Sequence, residues 1–254
     1  MIDCFMFFNE LDLLEIRLNT LVPHIERFVL CESTLTHSGK PKSLFFDENK
    51  DRFKGFNITH LVSDGGMTPD AGKNRGDPWR RENYQREFLM NGIKDEEPDT
   101  MILISDVDEI PDLETYQEGV EGVFRQRVYY YYFNVYACVN NWKGTIAIRK
   151  KNITTLNKLR DNRNRTAGNG SRGWHFSTLG TVDNIIYKIE SFAHYDLDRP
   201  DIKAMIPENR RTLIDPYRRG WNRIPTQCMV EEPSGPKWLL DNKDRYKHLW
   251  WSKE

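Results

Sequence analysis

The residues with the clearest chemical content are Asp106 and Asp108, in the run Met101-Ile102-Leu103-Ile104-Ser105-Asp106-Val107-Asp108-Glu109-Ile110-Pro111. A stretch of apolar residues runs straight into Asp-Val-Asp. Carboxylates spaced i, i+2 along an extended chain project to one side, so the two can converge on a single ion. Oxygen ligands favour a hard divalent cation, Mn²⁺ or Mg²⁺, which keeps waters and accepts phosphate oxygens as further ligands. Glu109 reads as a supporting or capping residue. The same pair would also serve as turn or cap carboxylates ahead of a helix at Leu113. Asp95–Glu121 holds eleven acids and no Lys or Arg, and Arg149–Arg172 follows with eight Lys or Arg against one acid, Asp161. Such neighbours can hold a cation and a polyphosphate between them; each can also be a solvated face.

The elements that must position these residues alternate in the first half of the chain. Ile2–Phe8 is an apolar run apart from Asp3, as expected of a strand buried on both faces. Leu11, Leu14, Leu18 and Leu21 recur at helical spacing, and Pro23 ends that helix. Phe28–Cys31, Ile58–Val62 and Met101–Ser105 read as further strands, with a loop over Ser63–Pro78 and a helix over Trp79–Ile93. Strands separated by helices imply a parallel sheet. An open sheet of that kind binds ligands beyond the carboxyl ends of its strands, where Asp106 falls. The second half reads differently: an aromatic strand over Val128–Val139, a turn at Asn140–Gly144, a strand over Thr145–Arg149 and a helix over Val182–Phe192. The last forty residues lack a period and are expected to wrap the main body.

Composition narrows the function. Over 254 residues, 37 Lys and Arg oppose 38 Asp and Glu, a net charge of -1 that gives no support to nucleic-acid binding. Seven Trp, 11 Tyr and 13 Phe exclude a disordered chain. No apolar segment approaches the ~18 residues of a membrane span, and the first residues lack a basic leader. Cys4, Cys31, Cys138 and Cys228 form no Cys-x-x-Cys pair, so neither a zinc site nor a disulfide framework is expected, and the expected compartment is cytoplasmic.

Four stretches together resemble glycosyltransferase family 17, the bisecting N-acetylglucosaminyltransferase type. They are Asp3-Cys4-Phe5 with Phe8-Asn9-Glu10-Leu11-Asp12-Leu13-Leu14-Glu15-Ile16-Arg17-Leu18; Glu32 with Thr36-His37-Ser38-Gly39-Lys40-Pro41-Lys42; Ser105–Pro111; and Gly173-Trp174-His175-Phe176-Ser177. The resemblance implies a GT-A type α/β fold, with a mostly parallel central sheet and helices on both faces. It implies a metal-bound UDP-sugar donor, UDP-N-acetylglucosamine, a carbohydrate acceptor and inversion at the anomeric carbon. One domain over 1–254 is expected, with a nucleotide-binding half (1–111), an acceptor-side half (112–199) and a C-terminal wrap (200–254). Nothing in the sequence specifies an oligomeric state.

Roles can then be offered to particular residues. Asp106 and Asp108 would hold the cation that stabilises the departing diphosphate. His175 is the candidate for a further metal ligand, with His194 competing; either can be an ordinary hydrogen-bonded histidine. Asp183, where a loop enters a helix, is the candidate general base, with Glu190 as alternative. An acid in a first helical turn is favoured by the helix dipole as well. Asn9, Glu10 and Glu32 follow the first two strands, where a nucleoside would lie. Arg81 and Gln85, one turn apart, could reach the nucleotide, or make surface contacts. Trp142 and Trp174 could stack on a sugar or pack in the core. Ala167–Gly173, with Arg163, Arg165 and Arg172 nearby, reads as a lid closing over the diphosphate.

Two other classes use similar residues. A phosphatase of the haloacid dehalogenase type also has Asp-x-Asp after a strand, but normally after the first strand, and here about a hundred residues of α/β pattern precede it. A carbohydrate-binding module would have no need of the acidic pair.

Overall fold

The structure, a computed structural model, describes residues 1–66, 77–139, 141–217 and 226–253. Strand β1 (Ile2–Met6) is buried along its whole length because each of its faces meets a core. Ile2, Cys4 and Met6 pack with Val29, Ile102 and Ile104; Phe5 and Phe7 pack on the other side with Leu14, Leu18 and Leu103. β1 lies between β2 (Arg27–Ser33) and β4 (Met101–Asp106), and β3 (Ile58–Ser63) adds beyond β2, all parallel. Helix α1 (Leu11–Leu21) covers the Phe5 face. The other face is covered by Leu89 and Ile93, just past helix α3 (Asp77–Phe88), and by Leu156 of α4 (Leu156–Asn162). The short α2 (Phe45–Asn49) lies between β2 and β3 in the chain.

Beyond β4 the same sheet becomes mixed. β8 (Trp142–Arg149) is antiparallel to β4, and β6 (Gly122–Tyr131) is antiparallel to β8. β7 (Val135–Tyr136) and β10 (Met229–Val230) finish that edge. β9 (Gly168–Leu179) runs parallel to β6 and antiparallel to the short β5 (Glu109–Pro111). Helices α5 (Val182–Ser191) and α6 (Pro200–Thr212) bury Ile185, Ile189 and Ile206 against β6 residues Val128, Tyr130 and Tyr131. The chain ends by returning to the first half. After α7 (Lys237–Asp241), Leu249 and Trp250 join the α1 core, and the Tyr246 hydroxyl donates to Glu15 at 2.9 Å.

The molecule is thus a mixed α/β structure, with helices on both faces of a large sheet. The parallel order expected from the first half holds for β3, β2, β1 and β4; the other half is mostly antiparallel. The aromatic stretch 128–139 is two strands rather than one, because Tyr131 turns through a left-handed φ of 64°. The helix expected at Leu113 is a single 3-10 turn, Leu113–Thr115. In the turn expected at 140–144, Asn140 lies outside the described residues, as do residues 67–76 of the Ser63–Pro78 loop; β8 already begins at Trp142. The lid expected over 167–173 is corrected outright, since Gly168–Gly173 is strand. A Cβ at Gly173 would stand 2.5 Å from the Ile110 carbonyl oxygen, so that glycine permits close strand approach and not hinging.

All four cysteines are unbridged. Burial pushes the Cys31 and Cys228 thiols up to about 12, and the Cys4 thiol well above its ordinary value. No helix among the described residues is long and apolar enough to cross a membrane.

Candidate active site

At the carboxyl end of β4 the chain turns through Val107 and Asp108 and re-enters the sheet as β5. Val107 is buried in the core and anchors the turn. The turn is fixed from below by Arg17, which is fully buried on α1. Its guanidinium donates to Asp3 on β1 at 2.6 and 2.7 Å and to the Ser105 hydroxyl at 2.6 Å. The same group donates to the carbonyls of Asp106, Val107 and Glu109 at 2.9–3.3 Å. Phe176 of β9 closes the turn by donating its N–H to the Asp108 carbonyl at 2.9 Å. A buried arginine with every N–H engaged gives a rigid loop.

The turn opens on a cavity of about 910 Å³, whose walls include Glu10, Asp106, Asp108, Arg160, His175 and Lys188. Asp106 and Asp108 both face this space, but the turn sends them to different cations. Arg160 of α4 donates to Asp106 at 2.5 Å and to Glu109 at 2.7 Å. Lys188 of α5 donates to Asp108 at 3.1 Å and lies 3.4 Å from Glu10. His175 Nε2 is 3.6 Å from the other Asp108 oxygen. Trp142 lies over His175, ring centroids 4.8 Å apart, and its indole N–H donates to Glu109 at 2.9 Å. The Arg163 guanidinium lies over the Trp142 ring, 4.6 Å from its centroid.

The charges are strongly conditioned by this packing. Burial opposes ionisation of Asp108, yet Lys188 and His175 hold its carboxyl well below the usual carboxylate range. Burial likewise opposes charge on Lys188, which Asp108 and Glu10 hold above the ordinary lysine value. Of the pair sharing Arg160, Asp106 is raised by burial and by Glu109. Glu109 is lowered, because Arg160, His175 and Arg163 outweigh its burial.

The donor set suits a divalent cation of the Mg²⁺ or Mn²⁺ kind, which is held by one or two carboxylates, waters and substrate phosphates rather than by a protein cage. Asp106 Oδ1 and His175 Nδ1 are buried and have no hydrogen-bond partner among the described residues, so neither is committed within the protein. Among the described residues, no three of His, Cys, Asp and Glu gather as a closed metal centre. Any ion here must share its ligands with a bound molecule.

Comparison with known proteins decides the family. The model of glycosyltransferase family 17 matches residues 1–210. The chain belongs to that family. Two relatives are beta-1,4-mannosyl-glycoprotein 4-beta-N-acetylglucosaminyltransferases: from Rattus norvegicus, 26% identical over 95% of this chain and 52% of the relative, and from Homo sapiens, 27% over 95% and 53%. The chain therefore spans about half the length of these relatives. Among solved structures, the inositol-1-phosphate CTP transferase from T. maritima is a remote likeness, with a TM-score of 0.33 and 11% identity over 69% of this chain and 84% of that one.

Within this family 17 chain the expected site residues divide. Glu10, Gln85, Asp106, Asp108 and His175 line the cavity. Gln85 does so with its amide committed: it donates to the Cys31 carbonyl at 2.8 Å and meets His37 Nε2 at 2.9 Å. Asn9, Glu32, Arg81 and Asp183 do not line it. Glu32 is buried on β2, accepting from the Phe46 and Asp47 N–H groups and from His60. Arg81 donates to the His37 carbonyl at 3.0 Å and braces the loop at Gly39, which has φ +91° and no room for a Cβ beside that guanidinium. Asp183 is exposed in the first turn of α5, so it is a helix-start acid and not a cavity residue. Its alternative Glu190 is paired with Lys203 at 2.7 Å, also off the cavity.

His194 reaches the wall against Trp79, 4.7 Å between rings, away from the paired acids. Trp174 packs against the core while Trp142 belongs to the site. Sequence reasoning missed Arg17, Arg160 and Lys188. For Arg17 a signal existed: Asp3 interrupts a wholly buried strand, and a buried acid demands a cationic partner.

Proposed function

We propose that this chain transfers a sugar, N-acetylglucosamine, from a UDP donor to a glycan hydroxyl, with inversion. The observation that carries this reading is the pairing of Asp106 with Arg160 and of Asp108 with Lys188, with Arg163 beside Glu109, around one cavity at the strand ends. Arg160 and Lys188 offer N–H donors to a diphosphate, and Trp142 with Arg163 keeps one wall dry. A divalent cation held by Asp106 and Asp108, with His175 beside them, would stabilise charge on the departing diphosphate. The general base we assign to Asp161 of α4. It lines the cavity, is exposed to solvent, and has no cationic partner among the described residues.

The test is UDP release from UDP-N-acetylglucosamine with Mn²⁺ and a panel of glycan acceptors. Turnover is expected, falling roughly 10²–10³-fold in Asp108→Asn. Release of inorganic phosphate from phosphomonoesters instead of UDP would return the reading to a phosphatase.

A further inference from the structure

A second cavity, of about 940 Å³, lies on the exposed face of β6 and β9. Val139 lines both cavities, so the second lies beside the first. Part of its floor is backbone at Gly168 and Gly170: the Arg125 guanidinium lies over Gly168, 3.5 Å from the position of a Cβ there, whereas no described residue lies within 4 Å of the position a Gly170 Cβ would take. Arg125 and Arg172 are register partners on these adjacent parallel strands, and both are exposed. Neither guanidinium has a hydrogen-bond or ion-pair partner among the described residues; Asp112 is near enough to feel the charge of Arg172. Arg127, two residues along β6, stacks on Tyr136 at 4.3 Å and pairs with Glu231. Among the described residues, three arginines therefore face one carboxylate around this cavity, whereas in the first cavity Arg160 and Lys188 are taken up by Asp106 and Asp108. Met229, 51% exposed, gives the rim an apolar shelf.

We propose that this second cavity binds the acceptor, and that the acceptor is an acidic glycan whose anionic groups sit on Arg125 and Arg172. Paired guanidiniums on neighbouring strands present planar, forked donors to a carboxylate or sulfate. The C–H face of a sugar ring can rest on Met229 and Val139. The open floor at Gly170 leaves room for a sugar ring beside the two guanidiniums. Calling the ligand an acceptor rests on the transferase reading of the first cavity; the anion site itself does not.

The test is binding of trigalacturonate, and of its methyl ester as a neutral copy of the same skeleton, by isothermal titration at low and high salt. A sulfated glycan of similar length distinguishes sulfate from carboxylate recognition. The acid is expected to bind and the ester to bind at least tenfold more weakly. Arg125→Ala and Arg172→Ala should each lower affinity for the acid about tenfold or more, with UDP binding unchanged. Both side chains are exposed, so neither variant disturbs folding. Equal binding of acid and ester, no binding of either, unchanged affinity in both variants, or equal binding of short single-stranded DNA each overturns the proposal. If UDP fails to bind while the acid still binds through Arg125 and Arg172, the transferase reading falls and the anion site stands.

Discussion

Replacing Arg17 separates what stabilises the fold from what shapes the site. Its pair with Asp3 is wholly buried, both side chains at 0% exposure. Arg17→Met leaves Asp3 as an unpaired buried charge, a loss of about 3–5 kcal/mol. It also removes the donor to the Asp106 and Val107 carbonyls, roughly 1–3 kcal/mol for each group left unsatisfied. Total stability is typically ~5–15 kcal/mol, so this variant is expected to sit at the edge of folding. At ~2–4 °C per kcal/mol for a chain of this size, its melting temperature should drop by about 10 °C or more.

Two further variants keep the idea testable. In Arg17→Lys the charge on Asp3 stays balanced, but a single ammonium cannot span Asp3, Ser105 and three carbonyls. In Asp3→Leu/Arg17→Met the buried charge is gone altogether. Both should melt above Arg17→Met yet bind UDP at least tenfold more weakly than the parent, because the Asp106–Glu109 turn has lost its brace. Thermal melts and isothermal titration of UDP with Mn²⁺ measure the two quantities. Parental UDP affinity in Arg17→Lys would falsify the positioning role.

Asp161→Asn should leave UDP binding intact and slow transfer ~10²–10⁴-fold, while Asp183→Asn should be neutral; transfer rates at saturating donor decide between them. Asp108 and Glu109 are held below their unfolded values of ~3.9 and ~4.3, so their contribution is complete above about pH 5 and is lost as pH falls. Asp106, raised, works the other way, so the net acid loss should shrink in Lys188→Met, which frees Asp108; urea midpoints from pH 6 to 3 read this. Gly173→Ala should destabilise by about 1–3 kcal/mol because its Cβ meets backbone and not a side chain that can move; a melt no lower than the parent's would refute the close-approach argument.

Much of the frame was legible because burial patterns are local. The buried β1, apolar but for Asp3, and the leucine spacing of α1 locate the parallel half, and the apolar run into Asp106 places the acids at a strand end. Arg160 and Lys188 were not legible. Lys188 sits beside Ile189 on an amphipathic helix, and its partners Asp108 and Glu10 are 80 and 178 residues away. No spacing rule reaches that far. The lid was misread for a physical reason: glycine marks mobility in a loop and close approach in a sheet, and only the partner strand distinguishes the two. Asp183 was misplaced similarly, since a first-turn acid looks the same whether its helix points it at a cleft or at water.

The acidic run and the basic run prove to be each other's counter-ions: Arg160 and Arg163 come from the second, Asp106 and Glu109 from the first. This changes what binding must accomplish. A diphosphate entering the cavity competes with Asp106 for Arg160 and with Asp108 for Lys188. A divalent cation competes with those same bases for the two carboxylates. Each ligand bound alone strands half of an ion pair in a buried setting, where an unpaired charge is costly. Bound together, they exchange partners with no charge left over. Mn²⁺ and UDP should therefore bind cooperatively, each strengthening the other by the same factor, as linkage requires. Coupling of about 1–3 kcal/mol corresponds to roughly 5–150-fold in each dissociation constant. Titrating Mn²⁺ with and without UDP, then UDP with and without Mn²⁺, measures it twice. In Lys188→Met, Asp108 is already free of its ammonium, so Mn²⁺ alone should bind more tightly and the coupling should shrink. Independent binding of the two ligands in the parent would mean that the ion pairs stay closed and the donor lies elsewhere in the cavity.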